Sequence, residues 1–338
     1  MLRGHGDNGY LFNTEIKADF SSNVYFKGPS KGLLNHLSKS IQHIGNYPEV
    51  VGESSNALLA EKHNINSSNI LISNGATEAF YMLALLYKKC SSTIFVPSFS
   101  EYADACNVHD HRIHYLTNTI LSNKLSIETK LVWLCNPNNP DGKIIEPNYI
   151  LSLCKKYPET IFIIDEAYAD FVSQDISVIN HVSEQENLIV VKSLTKKYAI
   201  PGLRLGYIAA HDSIITKLLA VKMPWSNNTL ALSAVKYTLQ QNDDNFDLLE
   251  LLLLSRSLQN ELSKINGIKV FTSNTSFFLI KTKHTSKKVF DYLLEKYGIL
   301  VRNASNFQGL DNHYIRICTQ NQTKNQLLIK VLKQWMRE

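Results

Sequence analysis

The sequence predicts an α/β protein: a large domain on a mainly parallel sheet, followed by a smaller α+β domain. Three observations carry this. Short apolar runs alternate with longer amphipathic stretches through the middle of the chain, and the pattern changes after Leu230. The chain also has 338 residues of 44% hydrophobic content, enough for two lobes rather than one small domain.

In chain order, the expected strands of the large domain are ILIS from Ile70, TIFV from Thr93, LVWLC from Leu131, IFIID from Ile161, LIVVKS from Leu188 and LGYIAA from Leu205. Helical segments fall between several of them, at Ala76 to Lys89, Pro147 to Lys156 and Asp212 to Val221. After Leu230 one long helical stretch is expected to run through the leucine cluster to about Lys264. Strand-like segments GIKVF, SFFLIK, GILVRN and YIRIC follow, with helices near Thr285 to Lys296 and Gln322 to Met336. This divides the chain into a rim segment at 1–34, a large domain at 35–240 and a small domain at 241–338. The first segment is too short to be a domain and is expected to cross the larger one at its ligand site. In parallel sheets that site lies beyond the carboxyl ends of the strands.

Composition narrows the function. A net charge of +5, spread along the chain, gives no basic footprint for nucleic acid, and the lysines from Lys281 to Lys288 read as a solvated face. No signal-peptide pattern opens the sequence, and the most apolar window, LLELLLL before Ser255, is interrupted by Glu250 and reads as a buried amphipathic helix. Five cysteines without CxxC spacing are expected to be mostly reduced core residues of a cytoplasmic protein. His109, His111 and His114 do not match zinc spacing, so a hydrated loop or strand edge is expected there and no metal site.

Five segments carry chemistry. SLTKKYAIPGLRLGY, Ser193 to Tyr207, puts a hydroxyl, a lysine and an arginine close together after a strand. A lysine amine can form an imine with an aldehyde when burial or neighbouring positive charge lowers its pKa, while Ser193 and Arg204 suit a phosphate monoester. Taken alone, Ser-x-x-Lys is more often an ordinary basic loop. IFIIDEAY, Ile161 to Tyr168, ends a buried strand on Asp165. An acid there either keeps a pyridinium nitrogen protonated or caps a turn, and Tyr168 is three residues further on. NGATEAF, Asn74 to Phe80, leads through a glycine into a helix N-terminus, which is a phosphate seat or simply a capped helix start. LCNPNNPDG, Leu134 to Gly142, makes a stiff turn carrying Asn139, and VPSFSEY, Val96 to Tyr102, offers Phe99 for stacking on a ring or for packing.

In this order the five segments resemble the class I/II aminotransferase superfamily of enzymes that use pyridoxal 5'-phosphate (PLP), over nearly the whole chain. The resemblance implies the fold-type I PLP-dependent transferase architecture. It implies Lys196 as the Schiff-base lysine, with Arg204 eight residues on at the cofactor phosphate, a spacing that selects Lys196 over Lys197. It also implies Asp165 at the pyridine nitrogen, Asn139 and Tyr168 at the ring oxygen, Phe99 on the ring face, and Ala76, Thr77 and Ser193 at the phosphate. A homodimer with shared active sites is implied, in which Tyr47 of NYPEV reaches the partner's cofactor phosphate.

Further stretches narrow the branch. KMPWSNNTLA from Lys222, ILVRNASNFQGLDNHYIRI from Ile299, HGDN at His5 to Asn8 and DFSSN at Asp19 to Asn23 are similar to the L-threonine-O-3-phosphate decarboxylase family. Histidinol-phosphate aminotransferases are its nearest sister family. The first resemblance implies decarboxylation of L-threonine O-3-phosphate to (R)-1-amino-2-propanol O-phosphate for cobalamin biosynthesis. The second implies amino transfer to 2-oxoglutarate. His5, Gly6, Asn23, Asn139, Arg302 and Arg316 are then the candidate substrate anchors, although arginines at strand ends are otherwise commonly surface or salt-bridged groups.

Three positions depart from the pattern. Asp141 replaces a threonine and is expected to face away from the ring. Asp7 replaces a glycine near the expected phosphate site, where an inward carboxylate would repel the anion. Lys27 either meets a substrate anion or is simply exposed. A non-catalytic binding module of the same fold is disfavoured because Lys196 and Asp165 are both present.

Overall fold

The computed structural model describes residues 5–118, 125–241 and 245–336. The chain enters along a short strand, β1 (Ala18–Asp19), and then forms two helices that the apolar pattern did not announce, α1 (Lys31–Ser40) and α2 (Glu53–His63). Ser30 starts α1 by accepting the Leu33 N–H at 3.1 Å. Next come β2 (Ile70–Ser73), α3 (Gly75–Leu86), β3 (Ser91–Val96), α4 (Glu101–Val108) and β4 (Arg112–Thr117). The chain continues with β5 (Leu131–Cys135), α5 (Pro147–Lys156), β6 (Ile161–Asp165), β7 (Leu188–Ser193), β8 (Gly206–Ala210), α6 (Asp212–Leu219) and α7 (Thr229–Gln240).

These strands form a seven-stranded sheet in the order β2–β8–β7–β6–β5–β3–β4. The pairs from β7 through β4 are parallel, whereas β8 is antiparallel to both β7 and β2. The central strands read as unbroken apolar runs because both faces are covered. Val132, Leu134, Ile164 and Val190 pack on one side, and Leu131, Trp133, Ile163 and Val191 on the other. The HDHRIH stretch resolves into two environments. His114 lies on the exposed edge strand β4, as a strand-edge reading implies. His111 instead is buried, its Nε2 on the Ala84 carbonyl at 2.9 Å and its Nδ1 2.8 Å from Ser92 Oγ.

The helix expected through to Lys264 is two helices, α7 and α8 (Leu248–Ser263). Asp247 caps the second through Glu250 N–H at 2.9 Å, so a helix start lies where continuity was expected. The leucine cluster is only partly buried. Leu251, Leu258 and Leu262 face the interior, while Leu249 and Leu253 are exposed. The remaining elements are β9 (Ile268–Phe271), β10 (Phe277–Thr282), α9 (Ser286–Tyr297), β11 (Ile299–Leu300), β12 (Arg302–Asn303), β13 (Tyr314–Cys318) and α10 (Gln322–Trp335). GILVRN therefore splits at Val301. β12 joins an antiparallel four-stranded sheet, β12–β13–β10–β9, while β11 pairs in parallel with β1.

The β1–β11 pair ties the N-terminal segment to the C-terminal part of the chain. Further on, the Tyr25 N–H donates to the Lys196 carbonyl at 3.1 Å, so the same segment also touches the loop after β7. All five cysteines are free thiols, and Cys106, Cys135, Cys154 and Cys318 are buried. No helix among the described residues is long and apolar enough to cross a membrane.

Candidate active site

A cavity of about 470 Å³ opens beyond the carboxyl ends of β3, β5, β6 and β7, the place where a parallel sheet presents its loops. Its size falls within the roughly 300–1,000 Å³ of small-molecule sites. The strand ends deliver Phe99, Asn139, Asp165, Ser193 and Lys196 to its wall, and α3 adds Ala76 and Thr77 at its first turn.

Asp165 is the last residue of β6 and is buried. Strand alternation sends Glu166 to the opposite face, where it meets Lys192 at 3.0 Å and accepts from Val178 N–H at 2.8 Å. Burial raises the Asp165 pKa, opposed by hydrogen bonds from Tyr102, the Ala167 N–H and Cys135. Lys196 is pulled down to about 8, first by burial and then by the positive charges of Arg316 and Arg204. An amine so shifted is available as a nucleophile near neutral pH. The rate at which the apoprotein binds PLP covalently should therefore climb about tenfold per pH unit below about 8 and level off above it. Stopped-flow absorbance would follow it. A rise continuing toward the 10.5 of an ordinary lysine would contradict this environment for Lys196.

The cradle opposite is built from close backbone approaches. Gly75 has φ +78°, and a Cβ there would lie 2.6 Å from the Arg204 guanidinium. A Cβ on Gly206 would lie 2.5 Å from Ala76 N. Glycines at both places let Arg204 and β8 press against the start of α3. No side chain caps that helix at Asn74, so its first N–H groups are open to an anion. Ser193 Oγ and Thr195 Oγ1 lie 2.8 Å apart on the same rim. Two hydroxyls, a guanidinium and a helix N-terminus suit a phosphate monoester, Lys196 suits an aldehyde, and Asp165 suits a protonated ring nitrogen. The residues present fit PLP.

Two further guanidiniums line the same cavity. Arg302 and Arg316 are cross-strand partners on β12 and β13, both buried, and neither forms a salt bridge to a carboxylate among the described residues. Arg302 Nη2 donates to Asn306 Oδ1 at 2.7 Å, and its guanidinium lies over the Phe307 ring at 5.2 Å. Arg316 Nη1 donates to Asn139 Oδ1 at 2.7 Å, and its Nη2 to the Ser21 carbonyl, while its Nε is unsatisfied. Burial weighs against both charges, and Arg316 weighs further against Arg302. Buried guanidiniums stay protonated, so an incoming anion would supply the missing compensation. Asn23 is buried with neither amide atom hydrogen-bonded. A neutral amide, it lacks hydrogen-bond partners, which a polar ligand in the cavity would supply.

The N-terminal segment roofs this site. His5 Nε2 lies 2.9 Å from Glu101 Oε1, and its ring meets Phe99 edge-on at 5.9 Å. Gly6 rests on Ser21, where a Cβ would come 2.1 Å from the carbonyl oxygen. Asp7 lines the mouth at φ +60°, its N–H on Ser21 Oγ at 2.8 Å.

Every sequence-predicted site residue except Tyr47 lines this one cavity. Tyr47 is 85% exposed outside it, against the Trp225 ring at 5.2 Å. Asp141 is turned into its own loop, accepting from Asn138 Nδ2 at 2.7 Å, and Lys27 pairs with Glu250 on the surface. Thr195, Ser21, Glu101 and Asn306 belong to the wall and were not anticipated, nor was Tyr102, which reaches Asp165 from behind it. Only Thr195, directly before Lys196, carried a local signal.

The family model described as "Aminotransferase class I and II" matches residues 15–332. A histidinol-phosphate aminotransferase of Caldanaerobacter subterraneus subsp. tengcongensis is 31% identical over 326 residues, covering 91% of this chain and 90% of that protein. The crystal structure of L-threonine-O-3-phosphate decarboxylase from Porphyromonas gingivalis superposes with a TM-score of 0.91 at 34% identity, covering 94% of this chain and 99% of that one. The histidinol-phosphate aminotransferase of Sinorhizobium meliloti, solved in complex with pyridoxal-5'-phosphate, shares the fold with a TM-score of 0.84 at 18% identity, covering 96% of this chain and 92% of that one.

Proposed function

This chain belongs to the aminotransferase class I and II family and is a PLP-dependent enzyme; within that family we propose that it decarboxylates L-threonine O-3-phosphate to (R)-1-amino-2-propanol O-phosphate and CO2. The observation that carries the reading is the buried Arg302–Arg316 pair, which has no carboxylate partner among the described residues. A substrate with a phosphate and a carboxylate on one short chain satisfies both guanidiniums at once. Histidinol phosphate has no carboxylate and would leave one guanidinium uncompensated, whereas the two carboxylates of 2-oxoglutarate would satisfy both, so the pair weighs against the amino donor of the second reading and not against its acceptor. The 34% identity to the Porphyromonas decarboxylase supports the same choice. Amino transfer from histidinol phosphate to 2-oxoglutarate is the second reading, favoured by the 31% identity to the Caldanaerobacter protein.

The cofactor supplies an electron sink when bound. The chain's own residues do the rest. In this reading Lys196 holds the cofactor and, once released, carries a proton on Nζ. Asp165 keeps the ring nitrogen protonated, Asn139 and Tyr168 hold the ring oxygen, and Phe99 covers the ring face. Ala76, Thr77, Ser193, Thr195 and Arg204 take the cofactor phosphate. Arg302, Arg316, His5, Gly6 and Asn23 grip the substrate, and that grip orients the bond to be broken. Asp7 is exposed at the mouth, where solvent weakens its opposition to a phosphate although its charge still reaches Lys196.

We place the active form as a homodimer in which Tyr47 completes the partner's phosphate site. Its exposure supports this, as does that of Ile41 and Ile44 shortly before it in the chain. The product would serve cobalamin assembly in the cytoplasm.

The test is purified, PLP-loaded protein given L-threonine O-3-phosphate, with CO2 and aminopropanol phosphate measured. A parallel reaction contains histidinol phosphate and 2-oxoglutarate, with glutamate measured. CO2 release independent of any amino acceptor is expected. Glutamate formation without CO2 would move the protein to the aminotransferase branch and leave the cofactor site intact.

A further inference from the structure

We propose that Tyr102 is a positioning residue that acts through Asp165, holding that carboxylate ionised so that the proton stays on the cofactor's ring nitrogen. The proposal rests on the reading above that places Asp165 at that nitrogen.

The geometry is that of a donor built for one acceptor. Tyr102 is 1% exposed, and its phenol donates to Asp165 Oδ2. Its ring is boxed by aromatic neighbours on three sides. It stacks on Trp133 at 5.7 Å and 19°, meets Phe80 at 4.9 Å and 90°, and meets Phe99 at 5.9 Å and 82°. Ring rotation would clash with this box, so the phenol is aimed before any ligand arrives.

The same oxygen takes a second, weaker donor. Cys135 is the register partner of Asp165 across β5 and β6, and its thiol approaches Oδ2 at 3.7 Å. The other oxygen, Oδ1, accepts the Ala167 N–H at 2.9 Å. The carboxylate thus has donors on both oxygens at the buried end of an apolar strand.

The chemistry follows from what a buried carboxylate does alone. Burial raises its affinity for a proton, and a proton gained by Asp165 is one withheld from the ring nitrogen. Hydrogen bonds to the ionised form oppose this. Without the phenol, Asp165 becomes the stronger base, and the ring becomes a poorer sink. A core-filling role alone would require only the ring of Tyr102. The hydroxyl would then be a buried polar group with no purpose, at a cost.

The experiment is nitrogen NMR of holoenzyme loaded with PLP labelled at the ring nitrogen, for the wild type, Tyr102→Phe and Asp165→Asn. Phenylalanine keeps the aromatic box and removes only the donor. Tyr102→Phe is expected to move the ring-nitrogen resonance toward that of unprotonated pyridine and to lower turnover about tenfold to a hundredfold. A Tyr102→Phe resonance at the wild-type position, with Asp165→Asn displaced, would overturn the role of Tyr102 and leave the Asp165 assignment standing. An undisplaced resonance in Asp165→Asn would overturn that assignment and this inference with it.

Discussion

Lys196→Ala should lose covalent attachment of the cofactor altogether and about 10⁴-fold of turnover, the upper range for removing a proton-transferring group. The loss is larger than that of any other single change because one amine has two tasks. In the proposed role it would hold the cofactor's aldehyde at rest and carry a proton during turnover. Its environment is tuned for both, since burial with Arg316 and Arg204 nearby brings it to about 8. The backbone at this position is used independently, its carbonyl accepting the Tyr25 N–H at 3.1 Å, so alanine leaves the N-terminal segment seated. Borohydride reduction followed by intact-mass measurement reads the linkage directly. The wild type gains the mass of the cofactor and the variant does not. Lys197→Ala is the matched control. Its ammonium lies over the Phe246 ring at 5.3 Å and the Tyr198 ring at 5.5 Å rather than in the cavity wall, so that variant should keep the adduct. A wild-type adduct in Lys196→Ala would overturn the assignment.

The cofactor side of this site was legible in the sequence because local chemistry writes it. Asp165 ends an apolar strand, Gly75 opens a helix, and Ser193, Lys196 and Arg204 lie within one strand–turn–strand stretch. Each signal is contained in a few neighbouring residues, and the sheet only has to bring the ends together. Strands β5 to β7 were equally plain, since burial on both faces leaves unbroken apolar runs. What escaped is set by distant partners. α1 and α2 carry many exposed polar positions and pack on α7, and α2 has no apolar stripe of its own to announce it. The break before α8 rests on a cap, Asp247, hidden among polar residues. GILVRN reads as one strand, but its halves pair with strands from opposite ends of the chain, β1 and β13. Tyr102 shows the limit most clearly. It is one of two aromatics in VPSFSEY, and only the approach of β6 brings Asp165 to its phenol. The roof residue Glu101 gained its part in the same way, from the return of His5 across the cavity.

Removing either arginine of the β12–β13 pair should cost substrate recognition heavily, and the two should differ in what else they cost. Truncating one partner of a buried charged contact is worth about 2–5 kcal/mol, or tens- to thousands-fold in kcat/KM. Arg302→Gln is expected to lose this much while the melting temperature of the unliganded protein stays level or rises. Arg302 is buried beside another guanidinium with no ion-paired acid among the described residues, and relieving that repulsion compensates for the lost bonds to Asn303 and Asn306. Arg316→Gln should lose catalytic efficiency and stability together. Arg316 also ties Asn139 of the β5 turn to Ser21 of the N-terminal segment, so its removal loosens the roof as well as the anion site. Steady-state kinetics and differential scanning calorimetry on the same preparations separate the two behaviours. A fall in melting temperature for Arg302→Gln with unchanged kcat/KM would make Arg302 a structural group and remove the pair from substrate binding. A level melting temperature with a collapsed kcat/KM is the signature of charge buried in advance of its ligand. In that case the energy spent on desolvating Arg302 is recovered only when the substrate anion arrives, and selection for a doubly anionic substrate is built into the unliganded fold.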